Sequence, residues 1–190
     1  MADGGAKLRL FVAVPLPEEL KDTLAQQTAL WKKGSFFQTW VHPQDYHLTL
    51  KFLGETPAGL LPPLKEALHT VARKHAPFSL TLEGMGTFGQ LRRPRILWLG
   101  VKGEGAALAS LQRDVEEELA TLGFKKEERP FRPHLTLARK YVGQAPFKTE
   151  LLREKELAPL SFDVEEIILY QSRLGEKPMY LPVARFRLIK

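Results

Sequence analysis

The chain has 190 residues, of which 44% are hydrophobic and 26% charged, and a formal net charge of +6. This balance excludes a disordered chain, gives enough length for one compact domain or two small lobes sharing a core, and suits a polyanionic partner such as RNA. The absence of cysteine excludes disulfides and thiolate metal sites. No run approaches the roughly 18 apolar residues of a spanning helix, so no membrane segment is expected and a cytoplasmic location is the default expectation.

In chain order, Leu8–Val14 (LRLFVAV) is a short apolar run ending at Pro15 and reads as a buried strand. Pro17 opens a helical pattern through Leu20, Leu24 and Leu30, with Glu18 and Glu19 in the first turn, where the helix dipole favours acids. Trp40–Val41 begins a strand that Pro43 interrupts, and Tyr46–Leu53 alternates polar with apolar residues until Gly54 and Pro57. A second helix is expected from about Leu60 to Lys74. Phe78–Leu82 and Ile96–Val101 read as paired strands around a loop rich in glycine and arginine, Gly84–Arg95. A third helix covers about Ala106–Leu122, with Leu108, Leu111, Val115 and Leu119 on its apolar face and Gly123 as its C-cap. Arg132–Arg139 is a second alternating strand. A short helix near Thr149–Glu156 follows, and Phe162–Ser172 and Tyr180–Leu188 read as two long strands.

Two of these strands carry the same tetrapeptide. His-Leu-Thr-Leu occurs at His47–Leu50 and again at His134–Leu137, in a chain with only five histidines. In a strand, residues i and i+2 share a face. Asp45, His47, Thr49 and Lys51 therefore fall together, opposite Tyr46, Leu48, Leu50 and Phe52. In the second strand Arg132, His134 and Thr136 share a face, opposite Leu135 and Leu137. Each copy offers an imidazole, a hydroxyl and a nearby cation (Lys51, Arg132). We read the two as a diverged internal duplication making two α+β lobes that pack as one unit over residues 1–190.

Several chemistries use such a set. Two histidines without a third good ligand make a poor zinc site; Asp45 is a candidate third, but nothing in the second strand mirrors it. No G-x-S-x-G elbow and no P-loop is present. Paired general acid–base catalysis fits best. An imidazole of pKa about 6.5 can be neutral while its partner is protonated. One can then take a proton from water while the other gives one to a leaving oxygen. The threonine hydroxyls and Arg132 suit non-bridging phosphoryl oxygens. His42, His69 and His75 read as surface residues. Arg92, Arg93 and Arg95 form a basic loop open to backbone phosphates, and Trp40, Phe36 and Phe37 offer a stacking surface for a terminal base.

The chain resembles the two-histidine (2H) phosphoesterases, defined by paired His-x-Thr/Ser-x motifs, and within them the RNA 2',3'-cyclic phosphodiesterases, also called 2'-5' RNA ligases. The resemblance rests on LFVAVPLP (10–17), WVHPQDYHLTLKFLGE (40–55), PRILWLGV (94–101), RPFRPHLTLAR (129–139) and LYQSRL (169–174). Thr39 departs from it, standing where related chains often have a basic residue. The resemblance implies a bilobal α+β fold, with two lobes of antiparallel sheet and flanking helices related by a pseudo-two-fold axis around a central cleft. It implies hydrolysis of RNA-terminal 2',3'-cyclic phosphates to 2'-phosphomonoesters without metal or cofactor, and possible reversal as 2'-5' ligation. It makes His47 the proton donor to the leaving oxygen, His134 the acceptor that activates water, and Thr49 and Thr136 phosphate-binding hydroxyls. A monomer acting on RNA ends is the expected state; a non-catalytic RNA- or nucleotide-binding module on the same scaffold is the alternative.

Overall fold

The structure, a computed structural model, describes residues 5–154 and 157–189. Its centre is β1 (Lys7–Pro15), the apolar run at the start of the chain. β1 is buried on both faces. Leu10, Val12 and Val14 join the main core, while Phe11 and Ala13 meet Ile168 and Tyr170 on the other side. Such a strand must lie inside a sheet, and it does. β1 is bracketed antiparallel by β3 (His47–Pro57) and β8 (Glu166–Ser172).

The remaining strands are β2 (Phe37–Trp40), β4 (Phe78–Gln90), β5 (Arg93–Gly103), β6 (His134–Tyr141), β7 (Leu160–Val164) and β9 (Tyr180–Arg187). Together they make one sheet of nine strands in the order β7-β4-β5-β6-β3-β1-β8-β9, with β2 paired to β6. The two HLTL strands, β3 and β6, are adjacent at the middle. Each is followed outward in its own half by three further strands, β1, β8 and β9 on one side, β5, β4 and β7 on the other. This is the expected two-lobed α+β arrangement, merged into a continuous sheet.

Helices α1 (Glu18–Lys32), α2 (Leu61–Ala72), α3 (Gly105–Ala120) and the short α4 (Glu150–Glu154) supply the cover. α2 and α3 pack on one another, α2 against β8 and β9, α3 against β3. Their apolar stripes, Leu64, Leu68 and Val71 on one, Leu108, Leu111, Val115 and Leu119 on the other, are fully buried. Gly123, at φ 90°, closes α3 as expected, with the Phe124 N–H returning to the Leu119 carbonyl. No described helix is long and apolar enough to cross a membrane.

Three expectations are corrected. The segment Gly84–Arg95 is not a loop; β4 and β5 continue through it to a tight turn at Leu91–Arg92, with register shifts that Gly84 and Gly89, both at positive φ, accommodate. Phe162–Ser172 is not one strand; it breaks at Glu165, so that β7 pairs with β4 in one half and β8 with β1 in the other. The second HLTL strand starts at His134, leaving Arg132 in the irregular segment before it. Of the short helix expected near Thr149–Glu156, Lys155 and Glu156 lie outside the described residues.

Candidate active site

β3 and β6 run antiparallel and pair at Leu48 and Leu135. Counting outward from that pair, His47 lies opposite Thr136 and Thr49 opposite His134. A local two-fold passes between the two leucines, and the four polar side chains surround it on the face away from the core. His47, Thr49, His134 and Thr136 all line one cleft of about 1320 Å³.

The likeness of the two strands extends past the motif. In β3 the register against β1 slips so that Leu50 is an extra residue; in β6 the register against β5 slips so that Leu137 is extra. These are the same positions of the two tetrapeptides. Each bulge buries two consecutive residues, Leu50 with Lys51 and Leu137 with Ala138, and reverses the alternation beyond it. Simple parity therefore fails after the second leucine. Lys51, expected beside His47, is turned inward, and Phe52, expected in the core, is turned out into the cleft at 71% exposure. In β6 the same reversal brings Arg139 onto the cleft face.

Both imidazoles are seated alike. The Nδ1 of His47 donates to the Asp45 carbonyl at 2.6 Å, and the Nδ1 of His134 to the Arg132 carbonyl at 2.7 Å. A carbonyl only accepts, so Nδ1 carries hydrogen in both rings, and each Nε2 is the nitrogen left for proton transfer. His47 Nε2 is 2.9 Å from the Thr49 hydroxyl; a neutral ring accepts from it there. The Asp45 carboxylate is engaged elsewhere, accepting from the backbone N–H groups of Met179 and Tyr180 at 2.8 and 3.1 Å. It holds the start of β9 against the His47 strand. Asp45 is thus no metal partner for the histidines, and no three described His, Cys, Asp or Glu residues gather as a metal site would require.

Each ring also packs edge-on against an aromatic wall: His47 on Tyr180 (5.1 Å, 86°) and His134 on Phe88 (4.9 Å, 88°). Phe11 and Tyr170 complete the enclosure of His47, and Trp98 lies beyond His134. The Trp98 indole occupies the space over Gly86, where a Cβ would collide with it. This burial depresses both pKa values. His47 falls to about 4, its desolvation only partly offset by the bond to Asp45. His134 is also lowered, chiefly by burial. The positive charge of Arg139 lowers both further, so its guanidinium acts on both rings. Arg139 also acts on the Tyr180 hydroxyl, which β9 brings to the same cleft. Burial lifts the Tyr170 hydroxyl to about 12 and raises that of Tyr180, leaving both as neutral phenols.

Arg139 and Tyr180 are the residues that strand parity missed. The bulge in β6 and the pairing of β9 outside β8 that place them leave no periodic trace. Arg132 does line the cleft, through an exposed side chain. Lys51 instead forms a buried ion pair with Glu116 at 2.6 Å and donates to the Lys125 carbonyl at 2.8 Å, pinning the segment after α3 that makes one wall. The expected stacking residues lie elsewhere. Phe37 is buried among Trp40, Tyr141 and Phe147, and neither Phe36 nor Trp40 lines the cleft. Of the basic loop, Arg93 is spent on the Gly143 and Gln144 carbonyls, while Arg95 reaches the cleft. His75 is not a free surface residue but sits 2.8 Å from the Asp114 carboxylate, mostly buried.

The chain is similar to known proteins in sequence and in fold. The chain is 49% identical over 179 residues to an RNA 2',3'-cyclic phosphodiesterase of Geobacillus stearothermophilus; the match covers 94% of this chain and 57% of that longer one. It is 34% identical to a protein of the same description from Bacillus subtilis, covering 94% of this chain and 95% of the relative. The crystal structure of E. coli LigT complexed with 3'-AMP superposes with a TM-score of 0.76 at 28% identity, covering 97% of this chain and all of LigT. The sequence model of one family spans residues 16–176, taking in both HLTL strands, both bulges and the β8 strand beside β1. On that match the chain belongs to the 2'-5' RNA ligase superfamily.

Proposed function

We propose that this protein hydrolyses RNA-terminal 2',3'-cyclic phosphodiesters to 2'-phosphomonoesters, using His47 and His134 as the proton-transfer pair within a single two-lobed domain. The observation that carries the reading is the convergence of two alike-seated imidazoles on one cleft that Arg139 also lines. Its relatives described as RNA 2',3'-cyclic phosphodiesterases support the choice of substrate, and the LigT structure complexed with 3'-AMP supports a nucleotide as the ligand.

The chemistry follows from which nitrogen of each ring is available. His134 Nε2 takes a proton from water. The resulting hydroxide attacks phosphorus in line, the bond from phosphorus to the 3' oxygen breaks, and His47 Nε2 delivers its proton to that oxygen. Thr49, Thr136 and Arg139 hold the non-bridging oxygens, where charge grows in the transition state; Arg132 contributes from the rim. Replacing water by an RNA 5' hydroxyl, or letting one leave, makes or breaks a 2'-5' linkage with the same groups.

The pair needs one proton between its members. In the free protein, burial keeps both rings largely neutral at pH 7. A phosphodiester monoanion entering the cleft supplies a counter-charge in place of the hydration that burial removed and favours the imidazolium. The Thr49 hydroxyl, now bonded to His47, turns to the phosphate as this happens. The substrate thus loads the acid that acts on it. We read the protein as a monomer acting on RNA ends in the cytoplasm.

Incubation of the protein with an RNA ending in a 2',3'-cyclic phosphate, in excess EDTA, tests the reading. Conversion to a 2'-phosphate is expected. Tight binding without conversion is the mark of a non-catalytic RNA-binding module and contradicts it.

A further inference from the structure

We propose that Arg95 and Lys140 form a second anion subsite in the cleft, which takes the phosphodiester on the 5' side of the substrate's terminal nucleotide and so favours an RNA chain over a lone cyclic nucleotide; this rests on the reading of the cleft as an RNA-end phosphodiesterase site. The cleft, at about 1320 Å³, exceeds the roughly 300–1,000 Å³ of a small-molecule site. It has room for more than the one nucleotide whose cyclic phosphate meets the histidines.

Two backbone features bring the pair together. Consecutive residues of a regular strand face opposite ways, yet Arg139 and Lys140 both line the cleft and both are exposed. Lys140 has a φ of 58°, a left-handed conformation that a residue other than glycine adopts at a cost. Strand β5 supplies the other cation. Ile96 pairs with Arg139, so Arg95 stands one step further out, beside Lys140. Gly89, at φ 102°, makes room for it; a Cβ there would lie 3.1 Å from the Arg95 Cγ and 3.0 Å from its backbone nitrogen.

The charges of the cleft point the same way. Its acids are already matched: Glu116 holds Lys51, Glu127 holds Arg129 and Glu128 holds Lys125. None of the ion pairs among the described residues includes Arg95 or Lys140. Like charges side by side on neighbouring strands repel, and an anion between them relieves that repulsion. The pair lies beyond Arg139 on the side away from His134, roughly 10 Å past Thr136 along β6, and its long side chains span part of that distance. A chain whose cyclic phosphate sits at the threonines presents its next phosphodiester there. Contacts to a phosphate carry no sequence information, so the subsite selects a polynucleotide without reading its bases.

The test compares two dinucleotides ending in a 2',3'-cyclic phosphate, one joined by a normal phosphodiester and one by an uncharged methylphosphonate. The wild type should show the lower KM for the first. Lys140→Gly removes the ammonium while tolerating the positive φ, and Arg95→Gln removes the guanidinium charge. Each is expected to raise KM for the charged dinucleotide by roughly 3- to 5-fold, as for an exposed charge pair, and the two together by roughly 10-fold. Neither should raise KM for the methylphosphonate, and Lys140→Arg should keep the wild-type KM for both. Equal rises on both dinucleotides, no rise on the charged one, a wild type that does not distinguish them, or a loss with Lys140→Arg as large as with Lys140→Gly each overturn the proposal. Failure of the wild type to open either dinucleotide overturns the underlying reading and is visible before any variant is made.

Discussion

The two HLTL strands begin as copies and end as opposites. Through the tetrapeptide they match in seat, tautomer, hydroxyl and bulge. One residue later they diverge. The first strand buries Lys51 against Glu116 and exposes Phe52; the second buries Ala138 and exposes Arg139. The rings differ as well. His47 is sealed by Phe11, Tyr170 and Tyr180, whereas His134 has Phe88 and Trp98 on its side of the cleft. A symmetric scaffold supplies two imidazoles at equal standing around one point. The divergence that follows gives the cleft a direction, which an asymmetric substrate requires.

The largest expected effect breaks the symmetric part. His47→Ala and His134→Ala should each lower the single-turnover rate of cyclic-phosphate opening by about 10²- to 10⁴-fold, with thermal melting close to wild type. A variant that keeps near-normal turnover would remove that histidine from the chemistry. Replacing both should cost little more than the worse single change, because the two act as a unit.

The next contrast separates the cations. Arg139→Ala should cost about 10²- to 10³-fold in kcat, as expected for a donor aimed at developing charge. Arg132→Ala, removing an exposed and screened charge at the rim, should cost roughly 10-fold or less. Reversed magnitudes would return the phosphate contact to Arg132.

Lys51 tests the divergence itself. If it is structural, Lys51→Met leaves Glu116 buried without its cationic partner and should lower unfolding free energy by about 3–5 kcal/mol in urea titration. Lys51→Met with Glu116→Met should recover much of that. A catalytic Lys51 would instead show lost turnover at unchanged stability.

The smallest effect is in the pH profile. Both imidazoles have pKa values below their usual 6.5, His47 near 4. Above that range the free protein holds two neutral rings, and the singly protonated form it needs declines about 10-fold per pH unit. Hence kcat/KM should fall as pH rises above about 6.5. With substrate bound, the phosphate anion raises the pKa of the acid, so kcat should hold to higher pH. A kcat/KM level from pH 5 to 9, with chemistry rate-limiting, contradicts this electrostatic account.

Much of this was readable before any coordinates. Both histidines, both threonines and the helical stripes follow from short-range periodicity, because sheet and helix impose fixed repeats on which side chains are buried. The likeness of the two strands could be read from the repeated tetrapeptide. The rest was not legible for a specific reason. A bulge adds one residue without any marker in LTLKF or LTLAR, so parity assigned Lys51 and Phe52 to the wrong faces and passed over Arg139. Tyr180 reaches the cleft only because β9 lies at the far side of β8, with Asp45 tying its start to the His47 strand. Contacts that distant in the chain have no local signature. The break at Glu165 is hidden for a similar reason, since strand residues continue on both sides while their partners change halves.

Selective ¹⁵N-histidine NMR, titrating the protein with a 2'-phosphomonoester nucleotide, tests the central geometry most directly. The account predicts that the Nε2 signals of His47 and His134 shift together along one binding curve, with both ring pKa values raised in the complex and Nδ1 remaining protonated throughout. A response from one ring alone, or two separate affinities, would mean that the imidazoles do not share an anion, and the proposed reaction would fall with that result.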